Sequence, residues 1–298
     1  KVARAAGRLR STRALRIGES FRGMGDFSVP EKVMKSRLGI TVKQVAPADL
    51  KPFVEKVGAE ELDAELERDR KRFEVDCPEE VHRSSARLGL GLRAAMAEGG
   101  YTAFSANFLT FDSESDVVPF LEASKAMARG VGYAGEGDVL TAGLVAALLS
   151  AWPKTSFTEI FCPDWKGGAL FLSHMGEFNP ACAAGRPLLC ERPFPYTPAS
   201  NPAVLACAPE PGEAVFVNLA PGPEESFTLI AAPVEILGDG EHPEMRSKIR
   251  GWMRPRVPVA EFLEEYSRLG GTHHSALVLG AHARSMRAFA RLAGLAYR

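Results

Sequence analysis

Val139-Leu-Thr-Ala-Gly-Leu-Val-Ala-Ala-Leu-Leu-Ser-Ala-Trp152, closed by Pro153, is the stretch on which the reading of this chain turns. It is the longest apolar run, 14 residues without a charge. A membrane span takes about 20 such residues, so the run fits a buried helix, read over Leu140 to Ala151, better than a span. Upstream, short apolar segments alternate with helical ones. Leu15-Arg-Ile-Gly18 reads as a strand ending in a glycine-rich turn, 18–27. Pro30 to Leu38 reads as a helix, Ile40 to Val45 as a strand, Pro47-Ala-Asp-Leu50 as a helix start and Pro78 to Glu98 as a helix. A strand over Thr102 to Phe108 and a helix over Val118 to Arg129 follow. This alternation predicts an α/β fold with a parallel, doubly wound sheet.

Downstream of Pro153 the texture changes. Glycine, proline and alternating strands dominate: Ala169 to Ser173, Val204 to Ala208, Ala214 to Leu219 and Phe227 to Leu237. Ala220 to Ser226 joins the last two as a hairpin. Antiparallel sheet is expected here, with helices over Val259 to Leu269 and Ala283 to Leu292. The chain is therefore read as two domains, 1–153 and 154–298.

Composition excludes some function classes. The 298 residues are 46% apolar and 24% charged, with a net charge of −1. Nothing in that balance provides the phosphate attraction that nucleic-acid binding needs. The five cysteines are odd in number and form no CxxC pair, so they read as reduced thiols of a cytoplasmic protein. Cys162, three residues after Glu159, reads as a small buried hydrophobe. Lys1 to Arg16 is Arg-rich, as a transit peptide would be, but its apolar spacing fits an amphipathic helix leading into a strand. We read it as the interior of a longer protein. Ala59 to Phe73, dense in Glu and Arg/Lys at i, i+4, reads as a solvated helix face without chemical role.

Four segments carry metal-ligand residue types in otherwise small or apolar settings. They are Gly132-Tyr-Ala-Gly-Glu-Gly-Asp138, Thr155-Ser-Phe-Thr-Glu159, Leu172-Ser-His-Met-Gly-Glu177 and Gly270-Gly-Thr-His-His-Ser275. Two carboxylates and two imidazoles form an N₂O₂ set suited to Mn²⁺, Mg²⁺, Fe²⁺, Co²⁺ or Zn²⁺. Each segment alone has an ordinary explanation. Gly-Glu-Gly-Asp makes a tight turn with Asp138 capping the next helix, Glu159 is a solvated carboxylate, and His174 is a hydrogen-bonded residue at a strand end. The His273-His274 pair stands out. Adjacent side chains on a strand point opposite ways, so one imidazole can bind metal and the other substrate.

Taken in order, these segments with Phe104-Ser-Ala-Asn-Phe108 and Leu15-Arg-Ile-Gly-Glu-Ser-Phe-Arg22 resemble the L-arabinose isomerase / L-fucose isomerase superfamily, and L-arabinose isomerase most. The resemblance covers essentially the whole chain. It implies a Rossmann-like central domain, a C-terminal antiparallel β-barrel with flanking helices, and a homo-oligomer. It also implies a further N-terminal α/β domain that is not in this sequence, and that a neighbouring subunit lends to the sugar pocket. In that pattern Glu136, Glu159, His174 and His274 hold a divalent ion, usually Mn²⁺. Glu136 and Glu159 act as acid and base, and His273, Phe108 and Asn107 line the substrate.

The implied activity is aldose–ketose isomerisation. A proton moves between C2 and C1 through an enediolate, and paired carboxylates serve as general base and acid. Val139-Leu140, Ile160 to Trp165 and Met175 to Pro180 depart from the usual family pattern, which leaves the sugar open. Two other readings compete: a sugar-binding relative without activity, and a metallohydrolase, for which no His-Glu-x-x-His signature exists in the sequence.

Overall fold

The computed structural model describes residues 1–27, 29–113, 115–240 and 243–298. Helix α1 (Val2–Arg10) feeds β1 (Arg13–Ile17). The short α2 (Glu31–Val33), prolonged by a π turn over Met34–Leu38, leads to β2 (Thr41–Val45). Then come α3 (Lys51–Glu55), α4 (Ala59–Arg72), β3 (Glu74–Asp76) and α5 (Glu79–Gly99). The first half closes with β4 (Ala103–Ala106), α6 (Phe120–Ala128), β5 (Gly132–Gly135) and α7 (Val139–Leu149).

Among the described residues, β2-β1-β4-β5 form a parallel sheet in that order. The reading of a Rossmann-like α/β layer holds. Helix α7 explains why its sequence lacks a polar face: all 11 of its residues are buried. It packs on β5, β4 and β1 on one side and on strands of the second half on the other. A helix enclosed between two sheets has no solvent stripe to mark with polar residues.

The second half contains β6 (Thr155–Asp164), β7 (Ala169–Ser173), β8 (Leu188–Glu191), β9 (Ala203–Ala206), β10 (Gly212–Pro221), β11 (Phe227–Ile236) and β12 (Gly251–Pro255). Helix α8 (Val259–Arg268), β13 (His274–Leu279), α9 (Ala283–Ala293) and β14 (Ala296–Tyr297) complete it. Strands β10-β13-β6-β7-β12-β11 pair antiparallel, and β11 returns to β10, so six strands close a barrel. The expected hairpin is β10–β11, in register from Gly212↔Ile236 to Pro221↔Phe227. Alternation along β10 divides the cores. Val215, Val217 and Leu219 join the cluster that includes α7, whereas Ala214 and Phe216 join the cluster with Phe262 and Tyr266 of α8.

Two expectations need correction. Helix α4 is not a purely solvated face: Leu62, Glu65, Leu66 and Asp69 are buried. Its i, i+4 charge pattern conceals an inner row. There Glu65 meets Arg93 of α5 at 2.9 Å, and Asp69 meets Lys125 of α6 at 2.7 Å. Cys162 is exposed rather than buried, because a β-bulge between Ile160 and Cys162 shifts the register of β6. No helix among the described residues is long and apolar enough to cross a membrane.

Candidate active site

Strand register gathers the site. His274 opens β13 opposite Glu159 of β6, and Glu159 pairs in turn with Ser173 of β7, whose next residue is His174. Three candidate ligands therefore come from neighbouring strands at one end of the barrel. Glu136 reaches them from the carboxyl end of β5, the end at which parallel sheets commonly bind ligands. One oxygen or ring nitrogen from each of Glu159, His174 and His274 lies within 4.8 Å of the others, as does one from each of Glu136, His273 and His274. His274 belongs to both groups. Its Nε2 lies 3.8 Å from Glu136 Oε2, and His174 Nε2 lies 3.9 Å from Glu159 Oε2.

The backbone around Glu136 is built for this approach. Glu136 itself adopts φ 65°, a left-handed conformation that costs an L-residue about 1–2 kcal/mol. The bonds Glu136 N–H to Ala106 O at 2.9 Å and Phe21 N–H to Glu136 O at 3.1 Å hold it there. Gly135 must lack a side chain, because a Cβ would stand 2.8 Å from His174 Cε1. Gly137, at φ 84°, would drive a Cβ to 2.6 Å from Ser20 Cα.

Carboxylates orient both imidazoles. Glu177 Oε2 lies 2.8 Å from His174 Nδ1 and also accepts from the Gly176 N–H at 2.7 Å, while Tyr133 Oη donates to Glu177 Oε1 at 2.6 Å. Burial pushes the Glu177 carboxyl up, but His174, Tyr133 and the Gly176 amide outweigh it and hold the group below the usual carboxylate range. An ionised carboxylate only accepts, so the His174 proton sits on Nδ1 and its Nε2 is aimed inward. Asp138 does the same for His274, with Oδ2 3.1 Å from Nδ1. It also caps α7, its Oδ1 accepting from the Thr141 N–H at 2.9 Å. Phe157, fully buried, wedges edge-on between the two rings, its centroid 4.7 Å from His174 and 4.8 Å from His274.

The donor set fits a cation. Glu136 Oε2 and His174 Nε2 are buried without a hydrogen-bond partner among the described residues. Such atoms are costly unless something else satisfies them. Burial opposes charge on His174, yet Glu177, Glu159 and Glu136 raise its pKa above the ordinary value. The same field that favours a proton favours a metal ion.

His273 departs from the alternation argument. It precedes β13, so strand geometry does not turn it away from His274. The rings lie side by side with centroids 4.2 Å apart, and His273 Nε2 is 3.5 Å from Glu136 Oε2. Asn218 of β10 pins this turn, donating to Thr272 Oγ1 at 2.6 Å and His274 O at 2.7 Å. Asn107 has its amide engaged: Nδ2 donates to Glu19 O at 2.8 Å and Oδ1 accepts from the Leu109 N–H at 3.0 Å. Phe108 is buried among Phe21, Phe120, Phe194 and Tyr196.

The family model for the L-arabinose isomerase central domain matches residues 15–151, and that for the L-arabinose isomerase C-terminal domain matches residues 154–296. The chain belongs to the L-arabinose isomerase family. The L-arabinose isomerase of Nocardioides sp. is 30% identical over 299 residues, which is 96% of this chain and 59% of that protein. Those of Levilactobacillus brevis and Acidothermus cellulolyticus are 28% and 29% identical, over 94% and 96% of this chain and 61% and 60% of theirs. The chain thus spans about three-fifths of the length of the curated relatives it matches.

Sequence reasoning did not assign Tyr133 or Glu177 and read Asp138 only as a cap. The available signal was spacing. Glu177 follows His174 by three residues and Asp138 follows Glu136 by two, each inside a segment already singled out.

Proposed function

We propose that this chain forms the metal-binding catalytic core of an aldose–ketose isomerase acting on L-arabinose or a closely related aldose. The observation that carries the reading is that Glu159, His174 and His274 gather in one triad and Glu136, His273 and His274 in another, the two sharing His274, with the His174 and His274 rings held by carboxylates at Nδ1. Glu136, Glu159, His174 and His274 are the proposed ligands, and Mn²⁺ is the proposed ion. Such an ion would stabilise the negative charge that develops on two adjacent sugar oxygens as the carbon proton leaves. Glu136 and Glu159, approaching from opposite modules, would divide the work of general base and general acid. His273 would hydrogen-bond a substrate hydroxyl, and Phe108 and Asn107 would shape the pocket wall. We read residues 1–153 and 154–298 as the two domains that meet at this site. A cytoplasmic homo-oligomer belongs to the same proposal.

The test is isomerisation of an aldose panel with added Mn²⁺, followed by NMR in D₂O. Glu136→Gln and Glu159→Gln should each remove most turnover, because Gln preserves shape and an oxygen donor but carries no proton. The variant lacking the carbon base should also stop exchange of substrate hydrogen with solvent. Near-normal turnover in both variants, with metal occupancy confirmed, would rule out paired carboxylates. A wild type inactive on every aldose despite bound metal would favour a sugar-binding protein.

A further inference from the structure

Residues 18–27 connect the two halves of the site. On the parallel-sheet side three bonds anchor the segment. Asn107 Nδ2 donates to Glu19 O at 2.8 Å, Ser20 Oγ donates to Gly137 O at 3.2 Å, and the Phe21 N–H donates to Glu136 O at 3.1 Å. Farther along, a 3₁₀ turn over Gly25–Phe27 presents Asp26 to the barrel. Asp26 Oδ2 accepts from the backbone N–H of His273 at 3.2 Å and lies 2.6 Å from His273 Nδ1. Both side chains are about three-quarters covered, at 22% and 26% exposure. One carboxylate therefore fixes both the backbone and the ring of His273, and Nε2 then faces Glu136 Oε2 at 3.5 Å.

His273 lies before β13 and takes no place in that strand's ladder. An imidazole free to rotate would lose rotamer entropy on meeting a ligand, whereas a ring already held in place would not. We propose that Asp26 is a positioning residue that holds His273 with Nδ1 outward and Nε2 aimed beside Glu136. A substrate hydroxyl arriving there would meet a prealigned acceptor. The substrate in this statement rests on the isomerase reading; the Asp26–His273 contact does not.

The test keeps the two claims separate. The full chain, labelled with ¹⁵N-histidine and free of metal, gives long-range ¹H–¹⁵N imidazole correlations, and His273→Gln identifies the His273 signals. In the wild type His273 should show a protonated, hydrogen-bonded Nδ1. Asp26→Ala should convert this pattern to that of a solvent-exchanging ring while the His174 and His274 signals stay in place. Asp26→Asn, which retains an oxygen acceptor, should restore most of it. With Mn²⁺ added, Asp26→Ala should bind the ion within about twofold of wild type but lose roughly tenfold in kcat/KM, as loss of a charge-assisted hydrogen bond predicts. Unchanged His273 signals in Asp26→Ala, equal loss in Asp26→Asn, or loss of Mn²⁺ binding would each overturn the proposal. If no aldose turns over in the wild type, the isomerase reading falls and the imidazole signals still decide the role of Asp26.

Discussion

Replacing Lys125 by Met should destabilise the protein by about 3–5 kcal/mol at neutral pH, the usual cost of removing one partner from a buried ion pair. Lys125 is 4% exposed and its Nζ lies 2.7 and 2.8 Å from the two oxygens of Asp69, which is fully buried. The same ammonium contacts Glu65, itself 3% exposed. Met fills the space of the aliphatic stem but leaves Asp69 with His82 Nε2, at 3.0 Å, as its remaining partner among these groups. Glu65 keeps Arg93 at 2.9 Å and Arg68 at 2.6 Å, so the larger part of the loss comes from Asp69.

The sign with pH follows from Glu65. Burial pushes its carboxyl up, but Arg93, Lys125 and Arg68 more than offset this and hold it well below the usual carboxylate range. A carboxyl lowered in the folded state contributes stability above its unfolded value, about 4.3, and loses it as the pH falls through the folded value. Without Lys125 the Glu65 contribution shrinks at neutral pH, whereas at pH 4, below the unfolded value, part of it is already lost from the wild type. The gap between wild type and variant should therefore be smaller at pH 4 than at pH 7. Urea unfolding followed by circular dichroism at both pH values measures it, and a thermal scan at pH 7 should show a drop of roughly 10 °C. A loss below about 1 kcal/mol, or an equal loss at both pH values, would refute the reasoning. Lys71→Ala, on the exposed face of α4, should change stability by no more than about 0.5 kcal/mol.

Tyr133→Phe removes the hydroxyl that donates to Glu177 at 2.6 Å and loosens the carboxylate that orients His174. Mn²⁺ affinity by calorimetry should fall about tenfold or more; unchanged affinity would show that Glu177 needs no second anchor. Gly137→Ala adds a methyl 2.6 Å from Ser20 Cα at a residue with φ 84°. It should cost more than 1 kcal/mol, from the left-handed backbone together with the clash, and an unchanged melting temperature would disprove that tight approach.

Fold class was legible because local patterns carried it. The uncharged 139–152 run, too short for a membrane span, fitted a buried helix, and the hairpin between Ala214 and Leu237 announced itself by two apolar strands around a Pro/Gly loop. Strands β3, β5, β8, β12 and β14 have two to five residues, which gives periodicity little to act on, and none of them was read. The inner row of α4 was missed because Glu65 and Asp69 belong, as letters, to the same charged repeat as the solvated Glu67 and Arg70. Only α5 and α6, folded against that face, distinguish buried charge from exposed charge.

The same division holds at the site. The sequence by itself offered Glu136, Glu159, His174 and the His273-His274 pair as candidates among other acids in four short segments, and the order of those segments, through its resemblance to the L-arabinose isomerase family, singled them out. Tertiary structure decided which nitrogen of each ring faces inward, since that depends on Glu177 and Asp138 lying at Nδ1. It also decided that His273 lies beside His274 rather than opposite it, and that Asp26, 247 residues away in the chain, holds it there. Hydrogen bonds act over about 3 Å, and separations that small between distant residues exist only once the barrel has closed against the parallel sheet.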